Sequence, residues 1–158
     1  AIVEGPALLG GSSIKIEGGR MGTVVVFLSS VCPCSQSHED ELKKLNREYA
    51  EFQFVGIHSN PDETAADAKA YFQKVGFTFP VISDFDQKLA NRFRAIKTPH
   101  AFVLSKSGEI LFQGGVSDSS RLGRANQLFL RQALNDVKSN LPVRTKLARA
   151  LGCAIKRR

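Results

Sequence analysis

Length, composition and charge limit what the chain can be. It has 158 residues, 42% of them hydrophobic, which suits one globular domain with an ordinary core. The longest apolar run, Val24–Leu28, is far shorter than the roughly 18 residues of a membrane-spanning helix. The sequence therefore contains no transmembrane segment.

The net charge of +7 is concentrated near the C-terminus, because the chain from Leu141 onward carries basic side chains and no acidic one. We expect a single domain over residues 1–158 with a basic tail at about 141–158. Such a tail is either solvated or binds an acidic partner. No aromatic platform or nucleic-acid motif accompanies it, so nucleic acid is not an expected partner.

The N-terminal half predicts two strands separated by a helix. The segment around residues 14–16 indicates a short hairpin-like lead-in, and the β-branched run Thr23–Ser29 indicates a buried central strand. Pro33 suits the first position of the following helix, which carries Leu42 on its apolar face. Phe52–Ile57 is the second predicted strand.

The C-terminal half continues this alternation and includes a hairpin. Gly76 should end a helix over Thr64–Val75, and a long amphipathic helix is predicted over Arg124–Lys138. The other predicted elements are an extended piece at Pro80–Ser83, a short helix at Gln87–Phe93 and strands at Ala101–Leu104 and Ile110–Gly114. Strands that alternate with helices imply an α/β fold, a three-layer α/β/α sandwich with a mixed central sheet.

The segment VVVFLSSVCPCSQSH places two cysteines where the central strand runs into a helix. Unpaired N–H groups and the helix dipole favour a thiolate there, and the thiolate is the nucleophilic form. Cys32 is therefore the candidate attacking residue, the alternative being a structural cysteine that ends a strand. An odd total of three cysteines also favours reactive thiols over a disulfide scaffold.

The C-x-C spacing limits the role of Cys34. Side chains two positions apart on a helix point roughly 200° from each other, so a Cys32–Cys34 disulfide would require the first turn to unwind. Such a bond would be strained and easily reduced. The spacing allows an oxidising or isomerising couple, or a resolving partner elsewhere. Cys153, in ALGCAIK, is a resolving thiol, an intermolecular disulfide former or a core residue.

Four stretches resemble the thioredoxin superfamily, and within it the redoxin branch of alkyl hydroperoxide reductase/thiol-specific antioxidant (AhpC/TSA) and TlpA/ResA-type proteins. They are VVVFLSSVCPCSQSHEDELKKL, FVGIHSNPDETAADAKAYFQKVGFTFPVISDFDQKLANRF, KTPHAFVLSKSGEILFQGG and the ending TKLARALGCAIKRR, and the match covers nearly the whole chain. The resemblance implies a thioredoxin-like fold with redox-active cysteines and antioxidant or thiol–disulfide oxidoreductase activity. It also implies a cis-proline at Pro99, with Pro33, Thr98 and Pro99 shaping a substrate groove.

The chain departs from the relatives' motifs at several positions. Ser35 occupies the place of the second cysteine in the C-x-x-C of thioredoxins. Ser29 fits the threonine position of the peroxiredoxin pattern P-x-x-x-T-x-x-C, but Val25 stands in place of its proline. Pro99 stands where peroxiredoxins usually carry an arginine. These departures count against efficient peroxide reduction.

A copper site is the alternative function. Two thiolates and an imidazole are soft ligands suited to Cu(I), a combination that some copper chaperones of thioredoxin fold use. The candidate ligands are Cys32, Cys34, His38 and His100, although each histidine is also explained as a packing or loop residue. Zinc is not expected, because the sequence has no C-x-x-C or H-x-H group to add ligands to Cys32 and Cys34.

Our first hypothesis is a thiol–disulfide oxidoreductase. Cys32 attacks a protein or small-molecule disulfide, or a peroxide, and Cys34 or Cys153 resolves the product. Ser29 and the N–H groups of the first helical turn would stabilise the thiolate. No motif implies an organic cofactor, and the electron donor is unidentified. A degenerate interaction domain is a third alternative. The redox cysteines and an N-terminus read as processed favour a periplasmic or secreted location over the cytoplasm.

Overall fold

The computed structural model describes residues 1–158 as nine strands and five α-helices. The strands are β1 (Val3–Gly5), β2 (Ile14–Ile16), β3 (Gly22–Leu28), β4 (Phe52–His58), β5 (Val81–Ser83), β6 (Lys97–Thr98), β7 (His100–Leu104), β8 (Ile110–Gly114) and β9 (Cys153–Ala154). The helices are α1 (Pro33–Ser37), α2 (Glu39–Glu48), α3 (Ala65–Val75), α4 (Lys88–Phe93) and α5 (Phe129–Lys138). None of these helices has the length and apolar character required to cross a membrane.

Five strands form a mixed central sheet in the order β5–β4–β3–β7–β8. β3 runs parallel to β4, and β4 runs parallel to β5, whereas β7 is antiparallel to both of its neighbours. Every residue of β3 is buried, because β3 lies at the centre of the sheet and packs on both faces. The predicted α/β/α sandwich with a mixed sheet is confirmed.

Alternate residues of β3 contribute to two separate hydrophobic clusters. Val24 and Val26 belong to the cluster that includes apolar residues of α2, α3 and α5. Val25 and Phe27 belong to the cluster that includes apolar residues of α4 and of the β1–β2 hairpin. The carboxyl ends of β3 and β4 lie at the same edge of the sheet, so the loops that follow these two strands are neighbours.

Two helices differ from the prediction. The helix that begins at Pro33 divides at His38, because the His38 ring binds the Cys34 carbonyl oxygen that a regular helix would pair with the His38 backbone N–H. The last helix begins at Phe129, not at Arg124. The preceding loop is held by Asp118, whose carboxylate accepts from the Asn126 N–H, and it ends in a separate 3₁₀ turn and an extended segment.

The basic tail is docked on the domain. β9 pairs antiparallel with β6, and Ile155 is buried in the cluster around α4. The Gln87 side chain donates to the Lys156 carbonyl oxygen (2.7 Å) and accepts from the Arg158 N–H (3.0 Å). The backbone of these last residues is therefore part of the domain surface, and the basic side chains of Lys156, Arg157 and Arg158 are exposed on it.

Candidate active site

Cys32 lies at the strand–helix junction. It is the N-terminal cap of α1, directly before Pro33, and its backbone is extended (φ −76°, ψ 118°). The side chain is 2% exposed. The sulfur is therefore held below the surface at the start of a short helix.

Ser29 orders the loop that leads to Cys32. Its Oγ accepts hydrogen bonds from the N–H groups of Val31 (3.1 Å) and Cys32 (2.9 Å), and its hydroxyl donates to Glu63 (2.6 Å). A hydroxyl has one hydrogen to donate, and here that hydrogen points to the carboxylate. Ser29 thus positions the backbone of Cys32, which differs from its expected role as a donor to the thiolate.

Glu63 is a buried carboxylate beneath this loop, with a side chain that is 5% exposed. One carboxylate oxygen accepts from the Ser30 N–H (2.7 Å) and the Ser30 hydroxyl (2.6 Å), and His58 Nε2 lies 3.0 Å from it. Burial alone would raise the pKa of Glu63, but the hydrogen bonds from His58, Ser29 and Ser30 outweigh burial and lower this pKa to about 2. The ionised carboxylate anchors the loop before Cys32 to the turn after β4.

Cys32 forms a disulfide with Cys153, which lies 121 residues later in the chain. Cys153 is in β9, where it pairs with Thr98 of β6, and its side chain is exposed. The Cys32 sulfur also lies 3.4 Å from the carbonyl oxygen of Thr98. The tail therefore places the exposed Cys153 against the buried Cys32.

Gly152 permits this close approach of the tail. A Cβ atom at this position would overlap the Thr98 carbonyl oxygen and would lie 2.8 Å from the carbonyl carbon. Directly after β9, the Ile155 N–H donates a hydrogen bond to the Ile96 carbonyl oxygen (2.9 Å), which fixes the tail there. Only a residue without a side chain allows the backbone to lie this close to β6.

Cys34 is a third cysteine at the same place. It is a free thiol of intermediate exposure, and the sulfur atoms of Cys32, Cys34 and Cys153 all lie within 4.8 Å of one another. The C-x-C spacing predicted that Cys32 and Cys34 point apart. That prediction is wrong because Cys32 is an extended cap and not a helical residue, so helical periodicity does not apply to it.

Neither of the two candidate ligand histidines, His38 and His100, belongs to the cluster of three sulfurs. His38 Nδ1 lies 2.8 Å from the Cys34 carbonyl oxygen and Nε2 lies 2.7 Å from the Ser117 hydroxyl, so a neutral ring donates to the first and accepts from the second. Burial lowers the pKa of His38. His100 Nδ1 accepts from the Ile96 N–H (3.2 Å), and burial lowers the pKa of His100 to about 4. Both rings support the backbone around the site.

The tail covers the groove expected at the proline loop. The Thr98–Pro99 peptide bond is cis, and both residues are buried, whereas Pro33 is exposed. β9 lies along β6 immediately before Pro99. Two exposed apolar side chains flank the site, namely Val31 beside Cys32 and Ile96 beside β6. With the disulfide formed, the chain's own tail occupies the position next to the proline loop.

A family model described as thioredoxin-like matches residues 22–110. The chain belongs to the thioredoxin-like family. The matched region contains Cys32, Cys34 and Pro99 of this thioredoxin-like protein, and it ends before the tail that carries Cys153.

Solved structures share the fold. An uncharacterized conserved protein from Geobacillus kaustophilus is 24% identical with a TM-score of 0.87, covering 99% of this chain and 90% of its own. The hypothetical protein SMc02350 from Sinorhizobium meliloti is 26% identical with a TM-score of 0.84, covering 98% and 90%. A secreted Mycobacterium tuberculosis disulfide oxidoreductase, homologous to E. coli DsbE, is 16% identical with a TM-score of 0.60, covering 68% and 79%. No curated protein matches the sequence significantly.

Glu63 and its partner His58 were not among the site residues predicted from the sequence. His58 ends β4, and Glu63 lies in the SNPDE turn that follows. Polar side chains that follow adjacent parallel strands meet at one edge of a sheet, which is also where ligand sites of α/β folds lie. That rule, applied to β3 and β4, would have placed both residues next to the Cys32 loop.

Proposed function

We propose that the protein is a thiol–disulfide oxidoreductase in which Cys32 is the attacking thiol and Cys153 is the resolving thiol. The observation that carries this proposal is the Cys32–Cys153 disulfide, which joins the strand–helix junction to the tail. The fold shared with the secreted disulfide oxidoreductase from M. tuberculosis supports it. The substrates are disulfides of proteins or small molecules.

The reaction proceeds by two exchanges of thiolate for disulfide. The Cys32 thiolate attacks one sulfur of the substrate disulfide, which forms a mixed disulfide and releases the other substrate sulfur as a thiolate. The Cys153 thiolate then attacks the Cys32 sulfur and releases the second substrate thiolate. The substrate gains two electrons, the protein becomes the Cys32–Cys153 disulfide, and a dithiol electron donor restores the reduced form.

Access to the two sulfurs differs in the oxidised protein. Cys32 is 2% exposed, whereas Cys153 is exposed on a strand of two residues. An external thiolate therefore reaches Cys153 first and releases Cys32 as the leaving thiolate. In the reduced protein, β9 must withdraw from β6 before a substrate can approach Cys32.

Cys34 is not the resolving thiol in this proposal. The disulfide joins Cys32 to Cys153 and leaves Cys34 as a free thiol, which supports Cys153 in this role.

We propose disulfides rather than peroxides as substrates. The peroxiredoxin pattern requires a proline where this chain has Val25, a buried residue of β3, and an arginine where it has Pro99. Membership of the redoxin branch remains part of the proposal, supported by the KTPHAF segment and the GC-I ending.

We also propose that the protein acts outside the cytoplasm, in the periplasm or as a secreted protein. Disulfides persist in these oxidising compartments, whereas cysteines in the cytosol are kept as thiols by its reducing systems. The M. tuberculosis neighbour is described as secreted, which supports this location.

Trapping the mixed disulfide tests the roles of the cysteines. The reduced Cys153→Ser variant should accumulate a covalent complex between Cys32 and a disulfide-bonded test protein, detected by mass spectrometry and reversed by dithiothreitol. The Cys34→Ser variant is the matched control and should release reduced substrate without a trapped complex, while Cys32→Ser should not react. Trapping by Cys34→Ser, together with normal turnover by Cys153→Ser, would reverse the assignment.

A further inference from the structure

One disulfide leaves the third sulfur of the site without a role. Cys34 is free, yet its sulfur lies within 4.8 Å of those of both Cys32 and Cys153. The disulfide joins the other two sulfurs and does not use it. A triangle of three sulfurs is instead an arrangement that suits coordination of a central ion.

After reduction, the three sulfurs are close enough to bind one metal ion. A metal–sulfur bond of about 2.3 Å places three sulfurs around a central ion about 4 Å apart. All three sulfurs lie within 4.8 Å of one another, and the bond between Cys32 and Cys153 holds that pair closer than 4 Å. Once the disulfide is reduced, the Cys32 and Cys153 sulfurs no longer share a bond and can move apart to the same distance.

The surroundings supply no fourth protein ligand. Both ring nitrogens of His38 are engaged, by the Cys34 carbonyl oxygen and by Ser117. The Glu63 carboxylate accepts hydrogen bonds from Ser29 and Ser30 and contacts His58. Structural zinc sites require four ligands in a tetrahedron, whereas thiolates select the soft ion Cu(I), which accepts three ligands in a plane.

We propose that the reduced protein binds one Cu(I) ion through the thiolates of Cys32, Cys34 and Cys153. The ligand set differs from the histidine-containing set expected from the sequence, because the tail contributes the third ligand. Binding displaces the thiol protons and changes no oxidation state. The oxidised protein cannot form the site, because two of its three ligands are then joined to each other.

The test uses the full chain, reduced with dithiothreitol and then freed of it under anaerobic conditions. Titration against the coloured Cu(I)–bicinchoninate complex should show transfer of one Cu(I) ion to each wild-type molecule. The Cys34→Ser and Cys153→Ser variants should each bind Cu(I) at least tenfold more weakly, and the oxidised wild type should take up none. His100→Asn is the control and should bind within twofold of wild type.

A second measurement identifies the ligands. X-ray absorption of the copper-loaded wild type should show three sulfur neighbours and no nitrogen. A nitrogen ligand, wild-type uptake by Cys34→Ser, or displacement of Cu(I) by an equal concentration of Zn(II) would each overturn the proposal. Formation of the Cys32–Cys153 disulfide by oxidised Cys34→Ser shows that this variant folds. A wild type that exchanges disulfides but takes up no copper overturns this inference and leaves the proposed enzyme activity standing.

Discussion

Replacing Glu63 with glutamine should destabilise the loop that holds Cys32. In the wild-type protein the Glu63 carboxylate accepts hydrogen bonds from Ser29 and Ser30 and contacts His58, all in a buried position. Glutamine keeps the size of the side chain but carries no charge. Its NH₂ group is a hydrogen-bond donor in the place of a carboxylate oxygen that accepts, so it meets another donor there. The Ser29 hydroxyl, which fixes the N–H of Cys32, then loses its charged partner.

The size of the effect follows from the pKa of Glu63. A carboxyl whose pKa falls from 4.5 to about 2 on folding adds about 3 kcal/mol to the free energy of unfolding at neutral pH. Because the folded pKa is the lower one, this contribution is complete above about pH 4.5 and is lost as the pH falls towards 2. The difference between wild type and Glu63→Gln should therefore be about 3 kcal/mol at pH 7 and should shrink by about half at pH 3.

Urea unfolding of the oxidised proteins, followed by circular dichroism at both pH values, measures this difference. Glu109→Gln is the matched control at an exposed glutamate and should change the free energy of unfolding by less than about 0.5 kcal/mol. A cost below about 1 kcal/mol for Glu63→Gln at pH 7, or a cost that does not change between pH 7 and pH 3, would show that the ionised carboxylate does not stabilise the loop.

Two further substitutions test the tail and the proline loop. Gly152→Ala should push β9 away from Thr98, and the ratio of reduced to disulfide-bonded protein in a glutathione buffer should rise at least tenfold. Gly123→Ala is the control, because the space around Gly123 is open, and it should behave as wild type. The pKa of His100 is about 4 in the folded protein, below its value of 6.5 in model compounds, so His100 costs the wild type about 3 kcal/mol of stability as the pH falls from 6.5 to 4. His100→Asn should lose that part of the pH dependence in denaturant titrations, and an unchanged profile would contradict the buried neutral ring.

The sheet and the position of Cys32 were predictable because their signals are local. The run Val24–Leu28 and the following proline fix a buried strand and a helix start within ten residues. The division of the helix at His38 was not predictable, because it arises from a side chain that takes a backbone carbonyl oxygen. Local propensity carries no information about that competition.

The rest of the site depends on contacts between distant parts of the chain. Nothing near Cys153 shows that its partner lies 121 residues earlier, because that pairing requires the tail to fold back onto β6. The sequence left three roles open for Cys153 for this reason. The contact of Glu63 with Ser29 and Ser30 likewise depends on the neighbouring ends of β3 and β4.

Mapping the cysteine states after mild oxidation shows directly which two cysteines form the disulfide. The reduced protein is oxidised with diamide, its remaining thiols are alkylated, and the unreduced peptides are identified by mass spectrometry. We expect a cross-linked pair of peptides containing Cys32 and Cys153, with Cys34 recovered as the alkylated thiol. A Cys32–Cys34 disulfide, or Cys153 recovered as the alkylated thiol, would contradict this pairing.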